Sequence, residues 1–266
     1  MPDLSVNEYS LVYNAFSFTF AAMFATFIFL VLNRGRVAPK YRNALTMSAL
    51  VVAIAGYHYF RIFESWESAF SPTEVTAGAL LYVVSGEPFN DAYRYIDWLL
   101  TVPLLVAELV AVMSLPPRKS GWLTFRLAAA AALMVILGYP GEIADDTGTR
   151  ALWGFFSTIP FLYILYVLFV ELGEAIKNQP GEAKVLLRNT RLLLFATWGF
   201  YPLVYLLPIV GTEATAGTIV AVQVGYCIAD VAAKCGYGIM IYAIARTKTL
   251  EEAEYIEDQA VPAPAD

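Results

Sequence analysis

Seven stretches of this chain are each long and apolar enough to cross a bilayer as a helix, and no other feature constrains its fold so tightly. They lie at roughly 8 to 33, 42 to 66, 91 to 114, 121 to 139, 149 to 173, 187 to 210 and 215 to 245, where a crossing takes about 20 residues. Inside lipid every backbone N–H and C=O must find a partner within the protein, so such stretches fold as helices. The chain is 59% hydrophobic and 15% charged over 266 residues, a balance rarely seen in a water-soluble domain of that length. The expected fold is therefore an all-α membrane protein, a seven transmembrane helix bundle. Of the connectors, Ser71 to Asn90 is the longest, and Val75 to Val84 within it predicts a short β-hairpin between helices two and three.

One domain is expected, residues 1–250. Residues 251–266 carry six of the 23 acids together with Pro262 and Pro264 and no apolar run, which predicts an acidic, disordered tail. Orientation follows from the basic residues. Twelve of the 17 Lys and Arg fall on one side: Arg34, Arg36, Lys40, Arg42, Arg118, Lys119, Lys177, Lys184, Arg188, Arg191, Arg246 and Lys248. That side is assigned to the cytoplasm. The opposite loops carry Glu74, Glu87, Glu142, Asp145, Asp146 and Glu213, so the N-terminus is placed outside and the C-terminus inside. Asp3 and Glu8, with no basic residue near them, lack the positive start of a secretory signal, so the first apolar segment is expected to be retained. A net charge of -6 offers nucleic acid no basic face. Cys227 and Cys235, about 12 Å apart along one helix, are not expected to pair, and no metal site is expected.

An ionisable side chain within the bilayer costs about 2.5 to 3.5 kcal/mol even on lenient scales, so each one is a functional candidate. Segment three holds Arg94, Asp97, Thr101 and Glu108 in RYIDWLLTVPLLVAE, segment seven holds Asp230 and Lys234 in IADVAAKCG, and segment two holds His58, the single histidine. Asp97 and Thr101 are four apart, and Asp97 and Glu108 eleven apart, close to three whole turns, so all three share one helix face. Glu108 then lies about 16 Å toward the cytoplasm from Asp97, and Arg94 almost one turn toward the outside. A lysine in an apolar site needs either a counter-charge or a covalent fate, because its free amine attacks carbonyls. Two readings of Lys234 stand at this point: a structural ion pair with Asp97 or Asp230, or a Schiff base with an aldehyde.

The runs from Arg94 to Glu108, from Asp230 to Lys234 (DVAAK) and from Trp198 to Tyr205 (WGFYPLVY) resemble the third, seventh and sixth helices of microbial rhodopsins. LWGFFSTIPFLYILYVLF in segment five and AGYHYFRIF in segment two extend the likeness over most of residues 8 to 246. Within the family the chain is most similar to the bacterial proton pumps of the proteorhodopsin and xanthorhodopsin branch. The resemblance implies a light-driven outward proton pump in the inner (plasma) membrane, an ion transporter and not an enzyme. It implies all-trans retinal bound to Lys234 as a protonated Schiff base. Asp97 would be the primary counterion and proton acceptor, Asp230 the second counterion and Glu108 the internal proton donor. Trp98, Thr101, Trp198, Tyr201, Pro202 and Tyr205 would line the pocket. Leu105 matches the position where leucine marks green-absorbing members. His58 and Asp97 agree in depth to within a turn, and the resemblance implies that they pair. A homo-oligomer is also implied, of a size that no residue fixes.

Gly154, one turn before Ser157 and Thr158, stands where many family members carry a bulky aromatic and xanthorhodopsin-like pumps have glycine. This implies a lateral opening beside the retinal ring, through which a hydroxylated carotenoid could serve as an antenna. Ordinary helix packing is the other reading of that glycine. Sodium and chloride pumps of the family differ at Asp97, Thr101 or Glu108. A sensory rhodopsin signalling through a partner protein is the alternative from another class, and Glu108 disfavours it. A transporter or receptor without retinal would leave Lys234 unexplained.

Overall fold

The computed structural model describes residues 1–75, 79–90, 92–179 and 181–260. After a two-residue strand β1 (Leu4–Ser5), helix α1 (Val6–Asn33) begins at a capping box in which Ser5 and Glu8 satisfy each other's exposed donors. Helix α2 (Arg42–Ala69) returns and runs directly into β2 (Phe70–Val75), which pairs antiparallel with β3 (Ala79–Val84). The predicted hairpin is thus present, with its first strand starting five residues earlier. β3 also pairs with β1, Leu4 opposite Tyr82, giving the order β1-β3-β2. Tyr9 stacks flat on Tyr82, with ring centroids 3.7 Å apart, and fastens this sheet to α1.

Helices α3 (Ala92–Val112) and α4 (Pro117–Glu142) form the next two spans. The fifth comprises α5 (Thr147–Tyr166), a π-helical turn (Val167–Glu171) and α6 (Leu172–Lys177). Asp146 caps α5 by accepting from the Thr149 amide at 2.7 Å, and that bond holds its exposed carboxyl below the usual range. The sixth span joins α7 (Gly181–Trp198) to α8 (Phe200–Leu206). The seventh is α9 (Ala216–Asp230), a second π-helical turn (Val231–Gly236) and α10 (Tyr237–Ala260). Six of these spans qualify by length and apolarity alone. The sixth carries Lys184, Arg188 and Arg191 near its start and completes the seven.

Burial is inverted relative to a soluble protein. Phe18, Leu32, Phe125, Phe155 and Ile228 are exposed on the outside of the bundle, whereas Arg94, Asp97, Glu108, Asp230 and Lys234 are buried inside it. A lipid-facing surface accounts for the first set, and mutual pairing for most of the second. α10 stays helical to Ala260, so the first ten residues of the expected disordered tail are ordered. The reason is a dock on the loop between the first two spans: Glu252 accepts from the Tyr41 hydroxyl and pairs with Lys40, both at 2.7 Å. Residues 261–266 lie outside the described residues.

Candidate functional site

Lys234 sits in the π-helical turn of the seventh span, where the wider coil interrupts the regular ladder, a distortion frequent at functional sites. Its Nζ lies 2.9 Å from Asp97 Oδ2 on α3 and 2.7 Å from Asp230 Oδ1 at the end of α9. One buried cation therefore bridges two carboxylates from different helices.

The two carboxylates differ in what else holds them. Asp230 is saturated: Tyr59 donates to Oδ2 at 2.7 Å and Tyr201 to Oδ1 at 2.5 Å. Asp97 Oδ1 is buried with no hydrogen-bond partner. Thr101 shares the face of Asp97, but its hydroxyl donates to the Asp97 backbone carbonyl at 2.8 Å. Outward of this cluster Arg94 donates to Gln223 Oε1 at 2.6 Å and lies over the Tyr226 ring.

The hydrogen bond expected between His58 and Asp97 is not made. Nδ1 of His58 and Oδ1 of Asp97 are each buried without a partner, and the imidazole rests edge-on against Tyr57. Equal depth on neighbouring helices does not fix rotation about the helix axis, and it is rotation that sets which way each side chain points.

Glu108 is buried on the cytoplasmic half of α3. It accepts a hydrogen bond from the Ser48 hydroxyl of α2, and its Oε1 has no partner. Nearby, Tyr237 donates to the Leu105 carbonyl at 2.8 Å and ties α10 to α3. Sequence reasoning named neither Ser48 nor Tyr59. A signal for both was present, since they stand eleven residues apart on α2, the interval that separates Asp97 from Glu108 on α3. The two helices thus offer matched pairs, Tyr59 serving the Asp230 level and Ser48 the Glu108 level.

Beside Lys234 a cavity of about 380 Å³ opens between the third to seventh spans, within the range of small-molecule sites. Trp98, Leu105, Gly154, Ser157, Thr158, Trp198, Tyr201, Pro202 and Tyr205 line it, and Lys234 is the one lysine that does; Thr101, expected among them, does not, its hydroxyl being turned to the Asp97 carbonyl one turn back along α3. The Ser157 and Thr158 hydroxyls are committed to the Met134 and Gly154 carbonyls, both at 2.8 Å, and so face the cavity with little to donate. Gly154 packs on Tyr205, whose Cε1 lies 2.6 Å from where a β-carbon would stand. An apolar, aromatic-walled chamber with a buried amine in its wall fits a long apolar aldehyde.

Lys248, toward the cytoplasmic end of the seventh span, is a second buried lysine. Its amine is engaged elsewhere, by the Val112 carbonyl at 2.9 Å and Gln179 Oε1 at 2.8 Å. It does not line the cavity.

The family model described as Bacteriorhodopsin-like protein matches residues 12–248. The green-light absorbing proteorhodopsin of Gamma-proteobacterium EBAC31A08 is 29% identical over 247 residues, 91% of this chain and 89% of that one. Archaerhodopsin-2 of Halobacterium sp. (strain aus-2) is 28% identical over 226 residues, 84% of this chain and 80% of that one. Among solved structures, xanthorhodopsin, described as a light-driven ion pump with dual chromophore, is 57% identical with a TM-score of 0.89, covering 95% of this chain and 99% of its own. Thermophilic rhodopsin is 50% identical with the same TM-score and coverage. With the family matched over most of its length and the bundle superimposing on these rhodopsins, the chain belongs to the bacteriorhodopsin-like microbial rhodopsins, light-driven proton-pumping proteins of the plasma membrane that carry retinal on a lysine and are not enzymes.

Proposed function

We propose that this chain pumps protons outward, with retinal on Lys234, Asp97 as acceptor and Glu108 as donor. The observation that carries the reading is the asymmetry around Lys234 Nζ. Two carboxylates stand at 2.7 and 2.9 Å on its outer side, while Glu108 alone, with Ser48, stands about 16 Å along α3 on the inner side. Retinal bound at Lys234 supplies light absorption and a change of shape that redirects the lysine nitrogen.

The chain's own groups supply the rest. Asp230, with both oxygens already accepting from tyrosines, acts as the fixed counter-charge. Asp97 has one oxygen uncommitted, so it can take the proton from Lys234 Nζ at the least cost in broken hydrogen bonds. Arg94 and Gln223 lie outward of Asp97 and shape the exit. Glu108 returns a proton to Lys234 Nζ from the cytoplasmic side. The test is to add all-trans retinal, look for a visible band, in the green if Leu105 tunes it as proposed, and illuminate intact cells. External acidification abolished by a protonophore is expected. A pigment that forms but moves no protons would favour the sensory reading.

Glu108→Gln should leave the absorption band in place and slow recovery of the proton on Lys234 Nζ by about 10²-fold, the usual scale for a lost acid or base. Flash spectroscopy reads this directly, and azide should restore part of the rate. An unchanged recovery would remove Glu108 from the donor role.

We further propose a carotenoid antenna site at Gly154. Gly154, Thr158, Pro202 and Leu206 all line the cavity, and the last three are exposed, which supports an opening of the chamber toward lipid there. The 57% identical xanthorhodopsin has a dual chromophore. Gly154→Trp should abolish binding of hydroxylated carotenoids and their sensitisation of pumping in blue light. Because Tyr205 packs on the same spot, the mutant's band without carotenoid is compared first. Equal carotenoid binding by mutant and wild type would refute the antenna.

A further inference from the structure

A second pocket, of about 500 Å³, lies at the cytoplasmic ends of the fifth and sixth spans and shares no lining residue with the cavity at Lys234. Lys177, Lys184, Arg188 and Arg191 line it, and Glu174 is the one carboxylate among them. Glu174 is already paired with Lys177 at 2.6 Å. Among the described residues no carboxylate pairs with Lys184, Arg188 or Arg191. Arg191 is the best placed of the three. Its guanidinium lies 4.7 Å over the Phe169 ring and its Nη1 reaches the Leu168 carbonyl at 3.4 Å, while its Nε is buried with no partner. Lys184 donates to the Lys177 carbonyl at 2.9 Å, which holds its ammonium at the pocket rim.

The remaining wall is apolar and faces outward. Phe169, Val170 and Val185 line the pocket and are exposed, and Phe195, half exposed, meets Phe169 edge-on at 5.6 Å. A ligand matching both halves carries an anion at one end and hydrocarbon running down the outside of the bundle at the other. We propose that this pocket binds the phosphate headgroup of an anionic phospholipid of the cytoplasmic leaflet, its acyl chains lying against Phe169, Val170 and Val185.

Three physical points favour this occupant. Guanidinium groups hold phosphate through paired N–H donors, and here two arginines flank one concavity. Basic pockets between membrane helices on the cytoplasmic side are where anionic headgroups bind. The apolar wall continues into the lipid-facing surface, which a free phosphate would leave uncovered. This inference rests on the fold and orientation and is independent of the pumping cycle.

The experiment uses purified holoprotein in detergent, titrated with phosphatidylglycerol or phosphatidylcholine and read by native mass spectrometry. Binding of inorganic phosphate alone is measured by equilibrium dialysis. Wild type is compared with the exposed-site variant Lys184→Gln/Arg188→Gln, its visible band confirming the fold. Wild type should retain one phosphatidylglycerol that phosphatidylcholine does not displace. The variant should bind it about 25-fold more weakly, at about fivefold for each cation removed near an anionic headgroup. Equal retention of both lipids by wild type overturns the proposal without recourse to any mutant. So does a variant with undiminished phosphatidylglycerol binding, or inorganic phosphate that binds as tightly as the lipid.

Discussion

Replacing Lys234 with alanine is expected to remove the visible absorption band altogether. No other lysine lines the cavity. The second buried lysine, Lys248, lies about 21 Å further along the seventh span, and both its protein partners are on the cytoplasmic loops and helix ends. The mutation also strips Asp97 and Asp230 of their shared cation, and breaking a buried pair in this way costs about 3–5 kcal/mol. Loss of colour is therefore read together with circular dichroism. Retained helicity with no band supports the attachment site, whereas a coloured variant with covalently held retinal would place the attachment elsewhere.

Asp97→Asn should cut light-driven proton export by at least about 10²-fold, the contribution of a positioned proton acceptor. Asparagine keeps the shape and removes the charge. The cation on Lys234 would then face Asp230 alone, so its ground state loses stabilisation and the band should move to the red. Asp230→Asn is the informative comparison. Asp230 is fully hydrogen-bonded by Tyr59 and Tyr201, so its loss should disturb pigment formation more than the direction of transfer. Undiminished export by Asp97→Asn would transfer the acceptor role to another group.

Much of this site was legible because charge inside lipid is costly and therefore conspicuous. Asp97, Glu108, Asp230 and Lys234 stand out in apolar runs, and helical spacing alone puts Asp97 and Glu108 on one face. The neutral partners were harder to single out. Serine and tyrosine carry little penalty in a membrane helix, and with 17 tyrosines in the chain nothing in composition marks Tyr59. Its spacing from Ser48 was the available clue, and it gains meaning only once α2 is known to face α3. Neither π-helical turn was foreseeable, because a single widened turn leaves the apolar run unbroken. The contact between His58 and Asp97 failed for a related reason: rise along an axis follows from residue number, while azimuth depends on how each helix is rotated in the bundle. The ordered start of the tail depended on a remote partner, the Lys40–Tyr41 corner.

The small sheet sets an order on how the chain can be assembled. β1 pairs with β3 across 78 positions, Leu4 with Tyr82, and both must reach the external face before they can meet. During synthesis the N-terminal strand therefore waits, without its ladder partner, until the first two spans are inserted and the following segment has been exported. Only then can Tyr9 stack on Tyr82. Closing so long a loop carries an entropic cost that rises slowly with length, and the antiparallel neighbours α1 and α2 meet most of it by bringing the two ends together beforehand. The sheet thus works as a late checkpoint in biogenesis, one that can close only when the first helical pair has the correct topology.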